Sequence, residues 1–148
     1  MVGADFSPCS RLAFRKACEM IAGNPGRIIA LHVIDSNFIQ TCINHSIGSE
    51  DALKKQMFIR AKGNLDEFID AETSIALTVT PIVCEGIPYV EINKMAREYE
   101  ADMIVLGSCG KSDDLDAIFF GSTTEKVLRF ISRPVLCVPP DTQGCAGL

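Results

Sequence analysis

The sequence predicts an open α/β fold, a five-stranded parallel sheet with helices on both faces, as one domain over residues 1–148. Two observations carry the prediction. Runs rich in branched apolar residues alternate with stretches of helical periodicity, and this alternation implies right-handed βαβ units whose helices cover both sides of a parallel sheet. The length of 148 residues is also ordinary for one domain with one core.

The expected order is β-α-β-α-β-α-β-α-β. Val2–Ala4 is a short first strand. Ser7-Pro8 then reads as an N-cap with proline at the first helical position, ahead of a helix over Ser10–Ala22 with Ala13, Phe14, Ala17, Cys18 and Ile21 on one face. Arg27–Ile34 is the second strand, and Asp35–Gly48 reads as a fairly long, mixed and mobile connection. The stripe Leu53, Met57, Ala61, Leu65 and Phe68 marks a helix from Ser49 to about Ala71. Ile75–Cys84 is the third strand, and a helix between Pro88 and Glu100 carries Ile92, Met95, Ala96 and Tyr99. Asp102–Leu106 is the fourth strand. A last helix, Ser122 to about Ile131, opens with Ser-Thr-Thr-Glu, a capping-box pattern with Ser122 as the cap, and Pro134 closes it before the strand Val135–Val138.

Composition narrows the function. Hydrophobic residues make up 47% and charged residues 22%, and no apolar run approaches the roughly 20 residues of a membrane span. No basic segment followed by an apolar stretch opens the chain, so a cytoplasmic location is expected. A formal charge of −5 with no basic stripe argues against a general nucleic-acid binder, because such binding rests on clustered Lys and Arg. The cysteines at 9, 18, 42, 84, 109, 137 and 145 include no CxxC pair and no metal-ligand spacing with His32 or His45. They read as small core residues of a reduced protein. Cys109 is the exception, since a glycine loop can expose its thiol.

In open parallel sheets ligands bind beyond the carboxyl ends of the strands. Here those ends fall at Asp5, at Val33 to Asp35, and at the stretch GSCGKSDDLDAIFFGSTTEK, Gly107 to Lys126. Gly-Lys-Ser at 110–112 suggests a Walker A loop, but only Ser108 and Cys109 separate Gly107 from Gly110, two residues too few for that loop to curl around phosphates. A different arrangement remains. Gly107 and Gly110 let backbone approach an anion, and ten residues later Gly121-Ser122-Thr123 opens a helix with unpaired N–H groups at the positive end of its dipole. Ser122 and Thr123 add hydroxyls, and Lys111 adds a charge. The plain alternative is that the glycines shape a turn while Ser122 caps a helix.

Several separated motifs together resemble the universal stress protein family. They are Asp5-Phe6-Ser7-Pro8 with Ser10, Leu31-His32-Val33-Ile34-Asp35, Ala101 through Gly110, Gly121 through Val127, and Arg133-Pro134-Val135-Leu136-Cys137-Val138-Pro139, in order over nearly the whole chain. The resemblance implies an adenine-nucleotide α-hydrolase-like, Rossmann-like sheet and a homodimer through the last strand, Val135–Val138. The ATP-binding branch of the family carries Gly-x2-Gly-x9-Gly-Ser/Thr. By that pattern Gly107, Ser108, Gly110, Gly121, Ser122 and Thr123 would hold the phosphates and ribose of ATP, ADP or AMP, with any Mg²⁺ carried by the nucleotide. Ala4 and Asp5 would meet the adenosine, and Val33 the adenine. A carboxylate can accept from ribose hydroxyls, so the role suits Asp5, which can equally serve as a second helix-capping residue.

Two departures from the family pattern stand out. Lys111–Phe120 is ten residues where nine are usual, and it holds Asp113, Asp114 and Asp116, whose charge repels a triphosphate unless it faces solvent or a cation. After Met1, only Val2, Gly3 and Ala4 precede Asp5, so the first strand is short or the sequence starts late. The last strand is apolar at every position between Pro134 and Pro139, too apolar for an exposed edge, so a second subunit or the tail Asp141–Leu148 should cover it. Three readings follow: a stress-response sensor or switch that binds an adenine nucleotide, a slow Mg-dependent ATP hydrolase, or a dimeric scaffold that has lost the nucleotide. No Ser-His-Asp order and no placed glutamate argues for catalysis, so no catalytic residue and no resident metal are assigned. His32 reads as a satisfied core residue and His45 as a loop residue.

Overall fold

The computed structural model describes residues 1–45, 49–73, 77–109 and 120–140. Its strands β1 (Val2–Gly3), β2 (Ile28–Asp35), β3 (Val79–Gly86), β4 (Ile104–Gly107) and β5 (Val135–Val138) form one parallel sheet in the order β3-β2-β1-β4-β5. The chain starts at the centre, winds outward through β2 to β3, then returns past β1 to lay down β4 and β5. The winding direction therefore changes between β1 and β4, and a crevice opens beyond their carboxyl ends.

Five helices, α1 (Pro8–Ile21), α2 (Ser36–His45), α3 (Glu50–Glu72), α4 (Pro88–Glu98) and α5 (Ser122–Arg129), cover the sheet. Alternation along β4 divides the core between its two faces. Val105 packs in a cluster with Phe14 of α1 and Leu65 and Phe68 of α3, whereas Ile104 and Leu106 pack with Ile92 and Ala96 of α4 and Val127 of α5. Both faces are thus buried, as a parallel sheet requires. Pro81 lies in β3, an edge strand, where a missing N–H is tolerated. Among the described residues no helix is long and apolar enough to cross a membrane.

α1 starts as its sequence signals: Ser7 is the N-cap, its hydroxyl accepting the Ser10 N–H at 3.2 Å, and Pro8 is the first helical residue. Ser49 caps α3 in the same way, its hydroxyl accepting the Ala52 N–H. Two expectations are corrected. The connection after β2 is helical over Ser36–His45, because Asp35 Oδ1 accepts the Asn37 N–H at its start and Ile39, 2% exposed, packs with Ile34 and Ala61. The cap of α5 is Gly121, not Ser122, and no side-chain capping bond forms; the Glu125 N–H donates to the Gly121 carbonyl, so the first turn closes one residue earlier. The third strand extends to Gly86, beyond Cys84, while Ile75 and Ala76 lie outside the described residues.

Candidate functional site

Beyond the carboxyl ends of β1 and β2 lies a cleft of about 950 Å³, within the range of small-molecule sites. Its walls come from the turn after β1 (Asp5, Phe6), the end of β2 (His32 to Asp35), α2 (Phe38, Cys42), α3 (Leu53, Met57, Arg60, Ala61, Asn64) and the start of α5 (Gly121 to Thr124). A pocket of about 130 Å³ shares Asp5, His32, Val33, Thr123 and Thr124 with it and adds Ala4 and Gly107.

The geometry brings most of the expected residues together. The Gly121 N–H donates to the Ser108 carbonyl at 2.8 Å, so Ser108 and the start of α5 meet although twelve residues separate them in sequence. The Ser108 N–H donates to Val138 of β5 at 2.8 Å, and the buried Thr124 hydroxyl donates to the Gly107 carbonyl at 2.9 Å. Strand end, edge strand and helix start are thereby clamped into one unit. Ser122, Thr123 and Thr124 occupy the first turn of α5, where helical N–H groups have no partner within the helix, and all three line the cleft. Gly110 and the acids Asp113, Asp114 and Asp116 lie outside the described residues, as does Lys111.

Asp5 lines both cavities, and its Oδ1 accepts the Ser7 N–H at 2.9 Å, so it also braces the turn that caps α1. Ala4 is buried, with its N–H donating to the Leu31 carbonyl and its own carbonyl 2.7 Å from His32 Nδ1. That contact makes Nδ1 the protonated nitrogen of His32. Val33 stands at the end of β2 and lines both cavities.

Gly107 has a role that its sequence context did not show. A Cβ at this position would lie 2.7 Å from the backbone carbon and Cβ of Cys9, so the glycine is what lets β4 pack against the first turn of α1. Phe6 was also missed. Its φ of 67° is left-handed, a strained backbone for an aromatic residue, and it stacks on His32 with ring centroids 4.4 Å apart. Arg60 and Asn64 escaped notice too, although Met57, Arg60, Ala61 and Asn64 share one helical face. Arg60 is the cation among the described residues lining the larger cleft. Cys109 is not a lone thiol: it forms a disulfide with Cys9 at a Cα–Cα distance of 5.9 Å. The remaining thiols with altered titration are shielded. Burial raises Cys18 and Cys137, and burial followed by the nearby Glu91 carboxylate raises Cys84 to about 11.

This sheet order, cleft and clamped loop can be set against known proteins. A model of the universal stress protein family matches residues 1–139. The chain belongs to the universal stress protein family. The universal stress protein MJ0577 of Methanocaldococcus jannaschii is 30% identical over 146 residues, spanning 90% of this chain and 90% of that protein. The solved structure of MJ0577 aligns with a TM-score of 0.79, covering 93% of this chain and 92% of that one. At 21% identity, UspA of Lactobacillus plantarum (TM-score 0.71, 93% and 94% covered) shares the fold. So does a universal stress protein in complex with cAMP (TM-score 0.60, 21% identity, 95% and 94% covered).

Proposed function

We propose that this universal stress protein binds ATP or a related adenine nucleotide and acts as a stress-response sensor or switch. The observation that carries the reading is the clamp: the Gly121 N–H on the Ser108 carbonyl brings the glycine loop and the start of α5 together at the cleft shared by Asp5 and Val33. Phosphates would meet the first-turn N–H groups of Ser122 and Thr123 and the positive end of the α5 dipole. Gly107 and Gly110 would let the backbone approach the phosphates, and Ser108, whose N–H and carbonyl are both engaged, would offer its hydroxyl. Arg60 offers a guanidinium from α3, and Asp5, Ala4 and Val33 would contact the nucleoside. Any Mg²⁺ would arrive with the nucleotide. The cAMP complex of a family member supports an adenine nucleotide as the ligand class in this fold. We assign no catalytic role and place the protein in the cytoplasm.

The last strand supports the second part of the reading, a homodimer. β5 is an edge of the sheet and its four residues are all apolar and half-buried. Pairing with the same strand of a second copy would bury that edge around a two-fold axis.

Calorimetric titration with ATP, ADP and AMP, with and without Mg²⁺, tests the ligand. Binding weakened by Ser122→Ala and Asp5→Ala is expected. Absence of heat and of any thermal shift at millimolar nucleotide would leave a scaffold of the same fold, and sustained turnover lost on Ser122→Ala would make the protein an ATP hydrolase. Sedimentation equilibrium tests the dimer: a monomer at all concentrations up to about 100 μM overturns it.

A further inference from the structure

Cys9 and Cys109 lie 100 residues apart in sequence, yet their Cα atoms are 5.9 Å apart and their sulfur atoms are joined. That separation is within the range a disulfide spans without backbone movement. The position is built by packing. Cys9 is the second residue of α1 and 4% exposed, and the missing side chain of Gly107 lets the end of β4 approach its backbone. Cys109 follows two residues later and is partly exposed. Both ends of the link are next to the candidate nucleotide site. Asp5 and the Ser7 cap immediately precede Cys9, and Gly107 and Ser108, whose carbonyls hold Thr124 and Gly121, immediately precede Cys109.

We propose that Cys9 and Cys109 are a reversible oxidation site for a peroxide, whose oxidised state ties the phosphate side of the cleft to the first turn of α1. The chemistry balances with peroxide as oxidant. The more accessible thiolate, Cys109, attacks one peroxide oxygen; an S–O bond forms, the O–O bond breaks, and water leaves after protonation of the departing hydroxide. Cys9 then attacks the Cys109 sulfur, forming the S–S bond and releasing the second water. The two sulfurs together lose two electrons and the peroxide gains them. Cys9 is suited to the second step by position, since its Cα lies 5.9 Å from that of Cys109 and its sulfur reaches the oxidised sulfur without backbone movement. A dithiol reductant reverses the reaction by exchange through a mixed disulfide. Burial raises the Cys18, Cys84 and Cys137 thiols, which makes them poorer competitors for the oxidant.

The effect on ligand affinity rests on the nucleotide reading above; formation of the link and its effect on the backbone do not. The test takes the full chain reduced with dithiothreitol, treats it with hydrogen peroxide, blocks residual thiols by alkylation and maps cross-linked peptides by mass spectrometry. A Cys9–Cys109 peptide as the dominant product, reversed by dithiothreitol, is expected; its absence, or a different dominant pair, overturns the site. Hydrogen exchange on the two forms reads the tie: slower exchange at residues 107–109 and in the first turn of α1 when oxidised is expected, and equal exchange overturns it. Calorimetry with ATP should then give affinities differing at least about threefold between oxidised and reduced protein, and equal affinities in the Cys9→Ser, Cys109→Ser double variant after the same treatments. Equal affinities of the two wild-type forms would overturn the coupling, whereas absence of ATP heat from both, with the linked peptide and slowed exchange present, would overturn the nucleotide reading alone.

Discussion

Replacing Gly107 by alanine separates two explanations of a glycine at the end of β4. If the residue served only to admit a phosphate, the methyl group would cost affinity and leave stability alone. The structure predicts a loss of stability. The new Cβ would meet the Cys9 backbone carbon and Cβ at 2.7 Å and its carbonyl oxygen at 2.8 Å, all well inside the 3.4 Å at which ordinary contact begins. None of these atoms is the free end of a flexible side chain. They belong to a helix start held by the Ser7 hydroxyl on the Ser10 N–H and by the Arg11 N–H on the Ser7 carbonyl, so relief requires moving α1 or β4. Overpacking of this kind costs about 1–3 kcal/mol, and a backbone neighbour places it in the upper half of that range. For a chain of this length that is a fall of roughly 4–12 °C in the thermal midpoint. Gly63 is the control. It sits exposed within α3 with nothing within 4 Å of an added Cβ, so Gly63→Ala should stabilise the protein by about 0.5–1 kcal/mol. Urea titrations of both variants with unchanged m-values measure the pair of effects. Gly107→Ala within about 0.5 kcal/mol of wild type, or the same sign for both variants, would refute the packing argument.

Two further outcomes follow from buried groups. Thr124→Val removes the hydroxyl that donates to the buried Gly107 carbonyl and should cost about 1–2 kcal/mol in urea denaturation, whereas Thr124→Ser, which keeps the hydroxyl, should avoid much of that loss. Cys84 ionises near 11 when folded and near 9.0 when unfolded, so between those values the unfolded state has released more protons; stability should decline as pH rises through this window, and Cys84→Ala should flatten the decline.

The parts of the fold that were legible in the sequence are those whose cause is local. Ser7-Pro8 announces the start of α1 because capping and a proline-compatible first turn are decided within four residues. Alternating runs announce the strands for the same reason. α2 was not legible, since Ile39 alone among its ten residues is buried. Its helix depends on Ile34 of β2 and Ala61 of α3, partners that only the folded chain supplies. The candidate site divides in the same way. Asp5, Val33 and Gly121 to Thr123 sit at strand ends and a helix start, positions that element order alone locates. The stacking of the left-handed Phe6 on His32, the approach of Gly107 to Cys9 and the Cys9–Cys109 link join segments far apart in sequence, and no local pattern encodes them.

The ten-residue spacer raises the question of whether one residue beyond the family's nine disturbs the site. Loop-closure entropy sets the cost of the extra length alone. Lengthening a flexible loop from nine residues to ten costs about 0.1 kcal/mol. The residues flanking the spacer are joined by the Gly121 N–H on the Ser108 carbonyl and held by the Ser108 N–H on Val138 and the Thr124 hydroxyl on Gly107. Each such bond contributes on the order of 1 kcal/mol, so the clamp outweighs the extra length by more than tenfold. On the nucleotide reading proposed above, the spacer would therefore act through its charge rather than its length. Deleting one uncharged residue, Ala117, should leave the urea midpoint within a few tenths of a kcal/mol and ATP affinity within about twofold. Changing Asp113, Asp114 and Asp116 together to asparagine should strengthen ATP binding severalfold at low salt and lose that advantage at high salt, as screening of like charges requires. If the deletion abolishes binding while the asparagine variant behaves as wild type, spacer length governs the site and the clamp does not.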